Sequence, residues 1–375
     1  MSENGNIIPT ANSNSPGGNG NGIPAPVKEA WYCVTMSSSG AIFKAEGESS
    51  AGFLEKLNEA SIGWVDYVTQ NTVLDNEAVN VATRLGFGNE LVSSFISQQY
   101  QTYQDMDTEM GMKVSCIQVR ELEVEVYPLL ILLKKNFILT IHPHNVDRRF
   151  TRLRRYAETV LKRIPANLSP EDKLTLLVTR ILDHNNDRNF EHLRQIEGRG
   201  EQLNEIMADP YTPREKLGPE IYHMKHALIT YLNALWDTVD VLHALRYGDA
   251  ELITNDEKLL DRVGVLVEDV NRQLELSEHM SEVLASGLEV LQSIYNNQLQ
   301  NLNNRLALMM TYLTIVGTAV LVPNTLATML GNAVFDIGPK DMGWYLALMV
   351  GSTVGATGLV YWWVRKRGWI PKKMD

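Results

Sequence analysis

Cysteine is scarce in this chain, and charge is missing altogether from its two most apolar stretches. Only Cys33 and Cys116 occur in 375 residues, which excludes a disulfide framework and fits a reducing compartment. There is no glycine-rich phosphate loop, nucleophile elbow or zinc-protease motif. Transport driven by ATP hydrolysis therefore has no support within the chain, and no enzyme activity is expected. There is no basic excess either. Lys and Arg number 34 against 45 Asp and Glu, a net charge of −11, which disfavours a nucleic-acid partner. The N-terminal stretch has no basic region followed by an apolar one, so no cleavable signal is expected. Residues 1–28 are rich in Asn, Gly, Ser and Pro and nearly devoid of large apolar side chains. They are expected to form a disordered tail.

The absence of charge decides the class. Residues 306–330 and 342–364 contain no Asp, Glu, Lys, Arg or His, and each run exceeds the roughly 20 residues a helix needs to cross about 30 Å of hydrocarbon. The intervening 331–341 holds the turn formers Gly338 and Pro339, so two antiparallel spans joined by a short outer loop are expected. A pair of core helices in a soluble protein would need a charged polar face, which neither run has. Arg365, Lys366, Arg367, Lys372 and Lys373 follow the second span, whereas the loop has only Lys340. The positive-inside rule then puts the C-terminus and the large N-terminal part in the cytosol of a two-span cell-membrane protein. Trp344 at one end of the second span and Trp362, Trp363 and Trp369 at the other fit interfacial aromatic belts.

What is present upstream reads as an α+β domain over 29–144. Residues 31–34, 41–44 and 63–68 have the composition of short strands, and 76–85 and 90–98 that of helices. Residues 113–119, 122–133 and 137–141 follow as strands, with Pro128 either interrupting the middle one or marking a sheet edge. A helical region spans 145–253. A basic amphipathic helix runs over 145–163, Ser169-Pro170-Glu171-Asp172 makes a helix start, and helices continue over roughly 170–208 and 213–246. From Asp256 a helical pattern runs without a stop into the first span. Residues 254–305 form an expected stalk, and 365–375 a basic tail. A helix of some 75 residues, about 110 Å long, needs partners along its length. Residues 254–300 hold nine acids against three bases; this is either a solvated helix face or a field that attracts cations toward a pore mouth.

Two helices cannot enclose an aqueous path, so a transport role requires an oligomer. In the first span Thr311, Thr314, Thr318, Leu321, Thr325, Thr328 and Asn332 recur at alternating spacings of three and four, which puts them on one helical stripe. Polar groups in a bilayer usually face a bundle interior or a cavity, and rings of hydroxyls and amides suit a hydrated cation. The alternative is that the threonines bond to carbonyls of their own helix or glue helices together.

Asn304-Arg305-Leu306 through Leu313-Thr314-Ile315 resembles the start of the first span in the CorA family of divalent-cation transporters. Further similarity lies in Trp64-Val65-Asp66, the 136–142 segment, Glu268-Asp269-Val270, Val322-Pro323-Asn324-Thr325 and the basic tail. The resemblance covers roughly residues 31–370. It implies a funnel-shaped homopentamer whose stalk helices line a pore, with a cytosolic domain that senses divalent ions. It also implies Mg2+ as the transported and regulatory ion, with no other cofactor. The family's Gly-Met-Asn signature is absent. Ungapped alignment puts Gly331-Asn332-Ala333 at the filter, and a one-residue shift at Pro323 puts Asn332 on the glycine position. Ala307 stands where the family has a pore Asn, and Ser93 and Ser94 stand where it has an acidic pair. Asp269 is the one sensing residue the resemblance carries over, and Asp336 and Asp341 in the loop would concentrate cations. His142 with His144, and His223 with His226, are spaced as metal ligands could be, or are ordinary structural and surface histidines. The expected function is passive, potential-driven transport of divalent cations, Mg2+ first. The alternatives are Zn2+, Co2+ or Ni2+ on the same fold, or a non-conducting membrane-anchored sensor or scaffold.

Overall fold

The computed structural model describes residues 30–47, 50–97, 101–208, 217–248, 250–331 and 338–367. The expected tail at 1–28 and the end of the basic tail, with Trp369, Lys372 and Lys373, lie outside the described residues. The chain divides into two units, Met1–Leu284 and Ala285–Asp375.

Alternating and fully apolar segments build the seven strands of the first unit. These are β1 (Ala30–Met36), β2 (Ile42–Gly47), β3 (Ile62–Thr69), β4 (Tyr103–Asp105), β5 (Glu109–Arg120), β6 (Glu123–Lys134) and β7 (Phe137–Pro143). They form one sheet in the order β2-β1-β3-β7-β6-β5-β4. All neighbours are antiparallel except β3 and β7, which run parallel. Every residue of β3 and β7 is buried, as expected where both faces of a sheet are covered. One face packs on α1 (Leu54–Asn58), α2 (Asn76–Arg84) and α3 (Asn89–Ser97), through a core that includes Trp31, Tyr67, Leu91, Phe95 and Leu139. Gly111 on β5 sits under this core: a Cβ there would lie 2.5 Å from the Phe95 ring, so a larger residue would force the ring aside.

Pro128 does not break β6. The strand pairs with β5 along its whole length, but with β7 only from Leu130 to Lys134. Pro128 therefore lies where β6 has a free edge on the β7 side, and there its missing N–H costs nothing.

Four helices belong to the rest of the first unit: α4 (Asp147–Lys162), α5 (Pro170–Asn186), α6 (Asn189–Ala208) and α7 (Leu217–Tyr247). Ser169 caps α5 in a full capping box with Asp172, and Pro170 occupies the first turn, as the motif predicts. The helical run over 170–208 is split at Asp187–Arg188. The cause is a run of short polar side chains that find partners off the helix. Asn185 Nδ2 donates to the Ser115 carbonyl at 2.9 Å, Asn189 Nδ2 donates to Asn186 Oδ1 at 2.8 Å, and the Tyr231 hydroxyl donates to the Asn189 carbonyl at 2.6 Å.

The second face of the sheet carries a buried charge network. Asp66 and His142 face each other at 3.3 Å, and neither side chain is exposed to solvent. Thr140 donates to Asp66 Oδ1 at 2.5 Å, and Arg154 of α4 donates to Asp66 Oδ2 at 2.6 Å. Trp64 Nε1 in turn donates to Thr140 at 2.9 Å, and His142 stacks on Phe150 at 4.2 Å. Burial pushes the Asp66 carboxyl up, but His142, Arg154 and Thr140 together outweigh it and hold it at about 2. The carboxyl is thus depressed on folding, so its contribution is present above the unfolded value and lost as pH falls through the folded one. Roughly 2 kcal/mol should disappear between about pH 4 and pH 2. Urea midpoints measured across that interval check this; a flat profile would mean that other carboxylates control the acid limb.

The helix expected from Asp256 onward is α8, Glu257–Leu330, 74 residues without a break and running through Pro323. Its buried positions are Val263, Leu266, Val267, Val270, Gln273, Leu274, Ser277, Met280 and Leu284. From Ala285 on, described α8 residues are exposed or half-buried. The last helix, α9, spans Met342–Lys366. The apolar windows of α8 and α9 are long enough to cross a bilayer, and none of either window is buried within the chain. Leu313 (72% exposed), Val320, Leu359 and Trp362 are among the bare side chains. A core helix of a soluble protein would have them covered, so this surface requires lipid or other copies.

Candidate functional site

Within α8, each threonine of the polar stripe makes the same bond. The hydroxyls of Thr311, Thr314, Thr318, Thr325 and Thr328 donate to the carbonyls of Ala307, Met310, Thr314, Leu321 and Asn324 at 2.7–2.9 Å. Bonding to the helix's own carbonyls, one of the two readings open from sequence, is therefore present at all five positions. It does not remove them from service. A hydroxyl has one hydrogen and two lone pairs, so a threonine whose hydrogen is held by its own helix still presents an acceptor outward. Thr314, Thr325 and Thr328 are exposed, as is Leu321, while Thr311 and Thr318 are half-buried.

The stripe also reaches further than the span. Ser293, Asn297, Gln300 and Asn304 continue the three-and-four spacing upstream through Ala307 to Thr311, and no charged residue occurs from Val290 to Asn304. They lie on the same unbroken helix and are exposed. Ser293, Asn297 and Gln300 are hidden in sequence by the acidic composition of 254–300, and Asn304 enters there only through the family resemblance. Extending the heptad backward from Thr311 would have found them.

Other expected site residues have different surroundings. Gly331 directly follows α8, with its N–H on the Ala327 carbonyl at 2.8 Å. Asn332, Ala333 and Asp336 lie outside the described residues. Asp341 precedes α9 and accepts the Gly338 N–H at 3.2 Å, a local cap that leaves its charge in place. Asp269 is half-buried on α8, with Arg272 at 3.9 Å as its ion-pair partner. Ser93 bonds to Asn89, and Ser94 bonds to the Leu91 carbonyl and Gln104. Among the described residues no group of three or more His, Cys, Asp or Glu is placed to hold a metal. His142 is fully committed to Asp66 and Phe150. His226 stacks on Tyr222, with His223 beside it on the same exposed face.

An α+β domain and one very long helix whose apolar end, like α9, is bare over a membrane-spanning length describe a membrane protein. The chain belongs to the CorA-like Mg2+ transporter family, whose profile matches residues 59–366. Its fold is that of several solved structures. The complete CorA magnesium transporter from Methanocaldococcus jannaschii aligns with a TM-score of 0.61 at 20% identity, over 91% of this chain and 98% of that one. Full-length CmaX aligns at 0.59 and 16% identity, over 92% and 99% of the two chains. The cytoplasmic domain of ZntB from Vibrio parahaemolyticus aligns at 0.51 and 13% identity, over 72% of this chain and all of that one. A comparison with curated protein sequences returned no match.

Proposed function

We propose that this chain forms a homopentamer that passes divalent cations, Mg2+ first, passively down the membrane potential. In this reading both termini lie in the cytosol and the α8 stripe faces a central aqueous path. The observation that carries it is the run of outward acceptors on α8. Mg2+ gives up its waters reluctantly, and those waters point their oxygens at the ion and their hydrogens outward. A lining for such an ion must therefore accept hydrogen bonds, and back-bonded threonines do so while adding no charge. An inside-negative potential of 100 mV supplies about 4.6 kcal/mol per divalent ion, which is sufficient drive without coupled hydrolysis. The alternating three-and-four spacing averages 3.5 residues, so the stripe stays on one face only if the helices supercoil left-handed. Asp336 and Asp341 would draw cations to the outer mouth, Asn332 with Gly331 and Ala333 would form the filter, and Asp269 would sense intracellular ions.

Zn2+ is the second reading, favoured by the departure from Gly-Met-Asn and by the ZntB-like fold of the cytosolic part. Against it, Zn2+ prefers nitrogen and sulfur ligands, whereas the stripe offers hydroxyl and amide oxygens. Uptake into liposomes loaded with Mg2+- and Zn2+-sensing dyes separates the two, and no flux of either ion would leave a membrane-anchored sensor. Asn332→Ala should change the Mg2+ to Zn2+ ratio or the flux by about tenfold or more, the scale of one lost charge-assisted contact. An unchanged profile would remove Asn332 from the filter.

A further inference from the structure

On the first unit, α4, α5 and the start of α8 border a groove of about 440 Å3, within the range of small-molecule sites. Arg152 of α4, Arg163 just after it, Arg180 of α5 and Arg262 of α8 line it. Asp187 is the one carboxylate among its lining residues, and it is held by His184 Nδ1 at 3.2 Å. Arg180 has its own partner, Asp183, at 2.5 Å. Arg152, Arg163 and Arg262 are exposed, and their side chains have no ion pair or hydrogen bond among the described residues. The floor is apolar, from Leu153, Val160 and Leu176, and the Tyr156 ring stands 53% exposed at the side. Asp183 and Asp269 border an adjoining hollow rather than this groove.

Three unpaired guanidiniums line one groove in a protein of net charge −11, and Asp187, already held by His184, is the one carboxylate in the lining to set against them. Such a cluster fits an anion with several oxygens, since each guanidinium can grip a phosphate through two parallel bonds. An apolar floor beside an exposed aromatic ring adds a surface on which a nucleobase stacks. We propose that the groove binds a nucleoside polyphosphate in its metal-free form. The metal-free form is selected because Mg2+ occupies the phosphate oxygens that the arginines need and removes the charge that attracts them. Occupancy would then fall as free Mg2+ rises, which links this site to the concentration of the proposed cargo. Binding itself does not rest on conduction: a chain that takes up nucleotide yet passes no ion keeps this inference and loses the other.

Titration calorimetry on the full-length protein in detergent at physiological salt tests it, with ATP plus EDTA, ATP plus excess Mg2+, inorganic phosphate and adenosine as separate ligands. ATP with EDTA should bind saturably, one per chain, and excess Mg2+ should weaken it about tenfold or more. The Arg152→Ala/Arg262→Ala pair should weaken it by a similar factor. Arg262→Lys, which keeps the charge and the fold but loses the fork, should weaken it less. Tyr156→Ala should weaken ATP and leave inorganic phosphate unchanged. No saturable ATP binding, or an affinity indifferent to the arginine pair, overturns the proposal. So does equal binding of phosphate and ATP with no effect of Tyr156→Ala, which would make this a plain phosphate site. If the arginine pair instead shrinks the oligomer and leaves ATP affinity unchanged, the groove is an interface between copies and the proposal falls.

Discussion

Thr318→Lys should abolish divalent-cation uptake in liposomes while the protein still reaches the membrane. Thr318 lies midway along the α8 stripe, and its hydroxyl is bonded to the Thr314 carbonyl at 2.8 Å. A lysine ammonium there, about 6 Å from the path of a divalent ion, repels it by on the order of 5 kcal/mol at an effective dielectric constant of about 20. Every subunit adds the same term, so the expected loss exceeds a thousandfold. Thr318→Val has the same shape and removes the acceptor together with the bond to the Thr314 carbonyl, and it should lower flux by about tenfold, the scale of one hydrogen bond to a charged species. The pair separates conduction from folding. A lysine forced against lipid would be inserted poorly, but valine would be welcome there. Normal uptake by Thr318→Val at normal membrane abundance would remove this stripe from the conduction path.

Asp66→Ala should be the most destabilising single change in the seven-stranded sheet. The substitution leaves His142 buried with no carboxylate partner, and it strips Arg154 of its contact at 2.6 Å, leaving that guanidinium with Asp147. Removing one member of a buried ionic network costs about 3–5 kcal/mol, a large part of the 5–15 kcal/mol by which domains are usually stable. The urea midpoint of the intact protein, followed by tryptophan fluorescence, should fall accordingly. Trp64 reports locally, because it donates to the Thr140 that holds Asp66. A loss below about 1 kcal/mol would put the network among ordinary surface pairs.

These two positions show different degrees of legibility. Thr318 was readable from spacing alone, since one helix running through Glu257–Leu330 keeps residues three and four apart on a common face. The same rule extended backward would have reached Asn297, Gln300 and Asn304. Asp66 is legible in sequence as part of a strand and of a family-like segment, but not as the centre of a charge network. Its partners lie 74 to 88 residues away, and nothing local in Trp64-Val65-Asp66 announces them. The split between α5 and α6 was missed for a related reason: periodicity continues across Asp187, and the break comes from where Asn185 and Asn189 find partners. The short elements α1 and β4, five and three residues long, are below the length at which a periodic pattern can register.

The sequence by itself determined that two charge-free helices need lipid, that a single helix leads into the first of them, and that its polar residues share a stripe. These are local properties, fixed by composition and by 3.6 residues per turn. The tertiary structure alone decided which distant charges meet. Parallel pairing of β3 with β7 sets Asp66 beside Thr140 and within reach of His142, and α4 laid across that face brings Arg154 to the same carboxylate. Packing of α4, α5 and the start of α8 likewise gathers Arg152, Arg180 and Arg262 around one groove. A contact between remote residues depends on how elements are ordered in space, and no window of sequence contains that order.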